Sequence, residues 1–216
     1  MNNSPAPDAK LLIAPGCAYC PTVLQHLSTL LKENAIGKLE VINIHQHPET
    51  AQQLNVRSVP WLQLGEFTLH GAHSLKELRD YLELANSKEG VSQYIVQQLS
   101  DGNLSSLMTE IEQHSHWVSA VIKLLKDDDT SMQVRLGIDS LVESLAGSDV
   151  LREHVDELGQ LSKNIHVSRL ADIIHYLGLT HSKAAVAYIK NHSEHENPDI
   201  RETCQDALQE INNNLQ

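Results

Sequence analysis

The stretch LLIAPGCAYCPTVLQHL places Cys17 and Cys20 three positions apart, directly after a short apolar run that breaks at Pro15 and Gly16. Two thiols at this spacing serve three chemistries: a redox dithiol, part of a metal clamp, or small buried side chains on an ordinary helix. If a helix starts there, the first sulfur faces backbone N–H groups that have no partner of their own. It also faces the positive end of the helix dipole, and both favour a thiolate. Histidine is the other metal-competent residue in quantity, with 13 in the chain. They include H-x-H at His45/His47 and His114/His116, and H-x-x-H at His70/His73 and His192/His195. Cys17 and Cys20 with His70 and His73 would be enough ligands for zinc. Cys204 stands alone among apolar positions and reads as a small core residue.

The elements that must hold the cysteines follow from local pattern. Residues 10–14 (KLLIA) are short, apolar and end at Pro-Gly, which predicts a buried strand. Residues 21–34 put Val23, Leu24, Leu27, Leu30 and Leu31 on one helical face, with Pro21 tolerated in the first turn. A second strand is expected over 38–45, a short helix over HPETAQQL, and two strands, WLQLG and FTLHG, joined tightly at Gly65 and Glu66. The stretch SLKELRDYLELAN closes the series as a helix opened by Ser74 and Glu77 in the S-x-x-E capping box. The expected order is β-α-β-α-β-β-α, with the cysteines at the start of the first helix.

This order and the run Cys17-Ala18-Tyr19-Cys20-Pro21 together resemble the minimal thioredoxin fold of glutaredoxins and protein disulfide oxidoreductases. Arg57-Ser58-Val59-Pro60 is similar to the Arg-Thr-Val-Pro that precedes the third strand in glutaredoxins. The resemblance implies a thiol:disulfide oxidoreductase. Cys17 would attack, Cys20 would resolve the mixed disulfide, and Tyr19 would shape access to the sulfur. It also implies a cis bond before Pro60, leaving the Val59 backbone to pair with an extended substrate. Arg57 is placed to hold a carboxylate, so glutathione joins a protein disulfide or dithiol as a candidate substrate. No cofactor or metal is implied. Two features depart from the family: KLLIAP carries no acidic residue, and Gly71-Ala72-His73-Ser74 stands where glutathione-binding members have Gly-Gly and an acid. The capped helix start at Ser74 is a further candidate anion site.

The second half reads as helical throughout, and it repeats. Aligning QVRLGIDSLVESL, VSRLADIIHYLGL and DIRETCQDALQEI brings Arg135, Arg169 and Arg201 into register. A period near this length predicts stacked helical pairs. Asn197-Pro198-Asp199-Ile200-Arg201 opens its helix with an N-cap, a first-turn Pro and an early acid, and this resembles the first helix of HEAT-type repeats. The repeated Arg is expected to pair with an acid, either within Asp127 to Asp129 or at Glu194 or Glu196. The expected architecture is therefore an α/β thioredoxin-like domain (10–87) after a disordered start (1–9), then an all-α HEAT-like solenoid (91–216). The helical part would recruit a protein partner.

Charge and composition exclude several classes. The net charge of -12 argues against sequence-independent nucleic-acid binding, which needs clustered Lys and Arg. No run of about 18 apolar residues is present, and MNNSPAPDAK lacks the apolar core of a secretory signal. A soluble cytoplasmic protein without membrane or nucleic-acid contacts is expected. The rival functional class is a non-enzymatic or redox-responsive interaction adaptor.

Overall fold

A computed structural model describes residues 5–127 and 130–214, and the chain divides into two compact units, Met1–Gly90 and Val91–Gln216. The first unit runs β1 (Ala9–Ile13), α1 (Cys20–Lys32), β2 (Leu39–Asn43), α2 (Pro48–Gln53), β3 (Trp61–Leu64), β4 (Phe67–His70) and α3 (Leu75–Ala85). The four strands form one sheet in the order β2-β1-β3-β4. β1 and β2 are parallel, while β3 is antiparallel to both β1 and β4. This is the thioredoxin-like α/β arrangement expected from the sequence. Of residues 1–9, the first four lie outside the described residues. Pro7 and Asp8 accept hydrogen bonds from the Gly37 and Gly65 amides at 2.9 Å each, and Ala9 is already in β1.

β1, β3 and β4 are largely buried because they carry apolar side chains on both faces, whereas the edge strand β2 is half-buried with Val41 exposed. Leu11 and Leu12 of β1, Trp61, Leu62 and Leu64 of β3, and Phe67 and Leu69 of β4 are all buried. α1 supplies Cys20, Val23, Leu27 and Leu30 to the core, a 3-4-3 spacing that describes a single helical stripe. The stripe is narrower than the sequence suggests: Leu24 sits at its half-buried margin and Leu31 is exposed. Each fully buried leucine of this set contributes about 2 kcal/mol through removal of apolar surface from water. α3 buries Leu78, Tyr81 and Leu82, and Arg79 Nη2 donates to Glu33 Oε2 at 2.6 Å, tying α3 to the end of α1. The capping box at its start is formed in full. Ser74 Oγ accepts from the Glu77 amide at 3.2 Å, and Glu77 Oε2 accepts from the Ser74 amide at 2.7 Å.

Among the described residues the second unit is all helix: α4 (Gly90–Ser100), α5 (Leu104–Gln113), α6 (Trp117–Leu124), α7 (Met132–Ser144), α8 (Asp149–Arg152), α9 (Val155–Ser162), α10 (Val167–Leu179), α11 (Ala185–Lys190) and α12 (Pro198–Asn214). α10 packs against both α9 and α12, and α11 against both of those neighbours. No described helix is long and apolar enough to cross a membrane. The in-register arginines lie in the first turns of α7, α10 and α12, and Arg201 is bonded to main-chain carbonyls rather than to the carboxylate of Glu194 or Glu196. Arg201 Nη1 donates to the main-chain carbonyls of His195 (2.7 Å) and Glu196 (3.0 Å), clasping the segment that leads into its own helix. Arg135 Nε does the same to the Thr130 carbonyl at 2.9 Å. Asp128 and Asp129 lie outside the described residues. Arg169 is turned inward and is 7% exposed. A guanidinium so near a helix start can reach back to the carbonyls that the incoming chain leaves unpaired, which explains the main-chain clasp. Asn197 Oδ1 accepts from the Asp199 amide at 2.9 Å, the N-cap bond its position implies.

Candidate functional site

The path from β1 to α1 explains the geometry of the cysteines. After Ile13 the chain turns through Pro15 and Gly16, with Gly16 at φ +80°, a left-handed conformation that costs glycine little. The Cys17 amide donates to the Ala14 carbonyl at 3.3 Å and closes the turn. Cys17 is half-buried, Ala18 and Tyr19 are exposed, and Cys20 is 4% exposed. The two sulfurs are joined in a disulfide. Because the first residue of α1 is Cys20, the sulfur of Cys17 hangs over the open helix end. No side chain caps this terminus, and Pro21 contributes no N–H. The Cys20 amide instead points at Cys17 Sγ at 3.2 Å. In the reduced state a thiolate at that place receives a charge-assisted hydrogen bond and the positive end of the helix dipole. The arrangement supports two-electron interconversion between dithiol and disulfide, with one sulfur reachable and its partner enclosed.

The sheet brings the remaining candidates to the same end. β1 pairs with β3 so that Leu12 faces Trp61, which carries Val59 and Pro60 alongside the end of β1 just before the cysteine turn. The Val59-Pro60 peptide is cis, and Pro60 is buried with its carbonyl accepting from the Gly71 amide at 2.9 Å. Val59 is half-buried, and neither its N–H nor its carbonyl has a hydrogen-bond partner among the described residues. Tyr19 is 63% exposed, a large aromatic surface beside the disulfide. Arg57 is exposed and makes no hydrogen bond or ion pair among the described residues. Cys17, Tyr19 and Cys20 thus follow the end of β1, and Val59 and Pro60 precede the start of the neighbouring β3, at one end of the sheet, while no bond joins Arg57 to them.

Two further sequence readings depend on their surroundings. At the start of α3 the Glu77 carboxylate accepts from the Ser74 amide, and the hydrogen bonds from Ser74 hold that carboxyl below the usual carboxylate range. The reciprocal capping of Ser74 and Glu77 satisfies two of the amides at the start of α3. Cys204 is buried, its Sγ donates to the Ile189 carbonyl at 3.6 Å, and burial pushes its thiol up. It is a core side chain with no exposed sulfur to react.

Sequence reasoning did not find the placement of the histidines. His26 Nδ1–H on α1 donates to the His73 carbonyl at 3.0 Å, joining the loop after β4 to the second turn of the cysteine helix. His73 Nε2–H in turn donates to the His70 carbonyl at 3.2 Å. The motifs were visible in the sequence, but their convergence depends on strand order, which local spacing does not encode.

Comparison with known protein families matches residues 8–83 to the family described as Thioredoxin domain. No curated protein matches the chain. The N-terminal unit is thus a thioredoxin-like domain carrying a Cys17-Cys20 pair, followed by a helical region that the family does not cover.

Proposed function

We propose that this chain is a thiol:disulfide oxidoreductase whose helical region recruits or positions a protein partner. The observation that carries the reading is the Cys20 amide directed at Cys17 Sγ from an otherwise uncapped helix start, with Cys17 the more exposed sulfur. The reduced protein attacks a substrate disulfide through the Cys17 thiolate, forming a mixed disulfide and releasing one substrate thiolate. Cys20, as thiolate, then attacks Cys17 Sγ, releases the second substrate thiolate and leaves the Cys17-Cys20 disulfide. Two electrons pass from the protein dithiol to the substrate, and an external dithiol restores the starting state. Val59 offers its unpaired backbone to an extended substrate, Pro60 holds that segment beside the cysteines, Tyr19 covers one flank, and Arg57 takes a substrate carboxylate, including that of glutathione.

The recurrent Arg135, Arg169 and Arg201 at three helix starts support the reading of α7, α10 and α12 as first helices of HEAT-like pairs. The test is reduction of a fluorogenic disulfide and of oxidised glutathione by the pre-reduced full chain and by Cys17→Ser. Loss of both activities in the variant supports the reading, and unchanged rates overturn it. The adaptor reading is favoured by one observation: Met132 and Leu136 stand 70% and 55% exposed on α7, a larger apolar display than a solvated helix requires. A partner retained equally by the wild type and by a Cys17→Ser/Cys20→Ser chain would move the function to that surface.

A further inference from the structure

The end of the sheet that carries the dithiol is also where the first unit places its imidazole side chains together with Arg57, whereas Lys10, Lys32, Lys38 and Lys88 lie towards the other end. Parallel pairing of β1 and β2 places both C-terminal ends together, and the Ile44 amide donates to the Ile13 carbonyl at 2.9 Å. The loop that follows, with His45 and His47 exposed, therefore leaves the sheet beside the Pro15–Cys17 turn. Antiparallel β3 begins at this end, preceded by Arg57, and the pairing of Trp61 with His70 ends β4 there too. The next loop carries His73, bonded to His26 of α1. Four chain segments thus bring His26, His45, His47, Arg57, His70 and His73 to the end of the sheet that carries the cysteines.

Carboxylates are placed the other way. Asp8 and Glu40 stand at the opposite ends of β1 and β2, Glu66 sits in the β3–β4 turn, Glu33 follows α1, and Glu83 and Glu89 lie at or beyond the last turn of α3. Only Glu49 and Glu77 reach the dithiol end. Glu49 accepts from His47 Nδ1 at 3.2 Å, and Glu77 is engaged with Ser74. Lys76, also in the first turn of α3, pairs with Asp80 at 2.7 Å. The unit carries nearly balanced charge overall, and away from the dithiol Lys10 pairs with Glu40 and Arg79 with Glu33, so protonated imidazoles make the dithiol end the more positive of the two.

From this asymmetry we infer that the substrate is an extended peptide disulfide flanked by acidic residues, drawn to the dithiol by these histidines and Arg57. The inference rests on the thiol-exchange reading above and adds the substrate class. A peptide fits better than a compact anion, because these side chains come from four segments and the unpaired Val59 backbone offers strand-like contacts at the same end. Imidazole is the side chain whose charge changes between about pH 5 and 8, so attraction strengthens as the solution is acidified. Burial and the neighbouring His73 push the His70 imidazole down, which weakens its share of that attraction.

The test uses the pre-reduced full chain and two peptides with the same central disulfide, one flanked by Glu and one by Lys. Their rates are compared between about pH 8 and about pH 6. The thiolate fraction affects both peptides equally and cancels in the ratio. The acidic-to-basic rate ratio is expected to rise by about tenfold on acidification at low salt and to collapse toward one at about 0.5 M salt. In a His45→Gln/His47→Gln chain the rise is expected to shrink. A ratio that stays near one at both pH values while both peptides are reduced overturns the substrate class and leaves thiol exchange intact. If neither peptide is reduced, the exchange reading fails and the substrate class falls with it.

Discussion

Gly16 is the residue on which the placement of Cys17 depends most directly, and replacing it has a calculable cost. At φ +80° an L-residue pays about 1–2 kcal/mol for its Cβ. A Cβ built at this position meets no atom within 4 Å, so the penalty comes from the backbone alone, with no packing clash. Alanine recovers about 0.4–1 kcal/mol through the reduced freedom of its unfolded chain. Gly16→Ala is therefore expected to destabilise the first unit by about 1 kcal/mol, and Gly16→Asn by less, because Asn tolerates the left-handed region better. Urea-dependent hydrogen exchange, read by mass spectrometry on peptides spanning β1 and α1, reports on this unit separately from the helical region. The expected order of protection is glycine, then asparagine, then alanine. Equal or greater protection in Gly16→Ala would refute the left-handed turn and with it the presentation of Cys17 over the helix end.

Other consequences are open to the same kind of measurement. Ser74→Ala removes the hydroxyl that accepts from the Glu77 amide and is expected to cost about 1 kcal/mol by chemical denaturation at neutral pH. The folded-state pKa of Glu77 is lowered, so its share of the capping is present above the ordinary carboxylate range and lost as pH falls through the folded value. The stability difference between wild type and Glu77→Gln should therefore vanish on acidification; a difference that grows would have the wrong sign. In the second unit a Cβ at Gly159 would drive into the Tyr188 ring, which Asp156 anchors by a 2.9 Å bond from the phenol. Gly159→Ala is expected to lose about 1–3 kcal/mol to overpacking, offset by about 1 kcal/mol of helix propensity. In a Tyr188→Ala background the same change should turn neutral or stabilising, and a cost that persists there would place the conflict elsewhere.

Much of the N-terminal fold was legible because each of its elements announces itself locally. KLLIAPG reads as strand then turn, Leu27 and Leu30 fall on one stripe with Val23, and Ser74 and Glu77 mark a helix start through hydrogen bonds made within three residues. Leu31 misled for an instructive reason: its spacing suits the stripe, but the sheet and α3 cover too narrow an arc to include it. The arginines of the helical region were found as a recurrence, yet the partner of Arg201 was misjudged. A charged side chain suggests an opposite charge, whereas the carbonyls of His195 and Glu196 are invisible as acceptors in a sequence. The placement of the histidines was the hardest feature to anticipate. His45, His70 and His73 come to the end of the sheet that carries the cysteines only after β2, β1, β3 and β4 take their order in the sheet.

The division of labour between the two sulfurs is the central claim, and trapping the intermediate tests it most directly. The Cys20→Ser chain keeps the attacking thiol and loses the resolving one, so after incubation with a peptide disulfide it should accumulate a mixed disulfide. Mass mapping of the adduct is predicted to place it on Cys17, with Cys204 unmodified in its buried site. Failure to accumulate any adduct, or an adduct found on Cys20 in the complementary Cys17→Ser chain at an equal rate, would contradict the assignment.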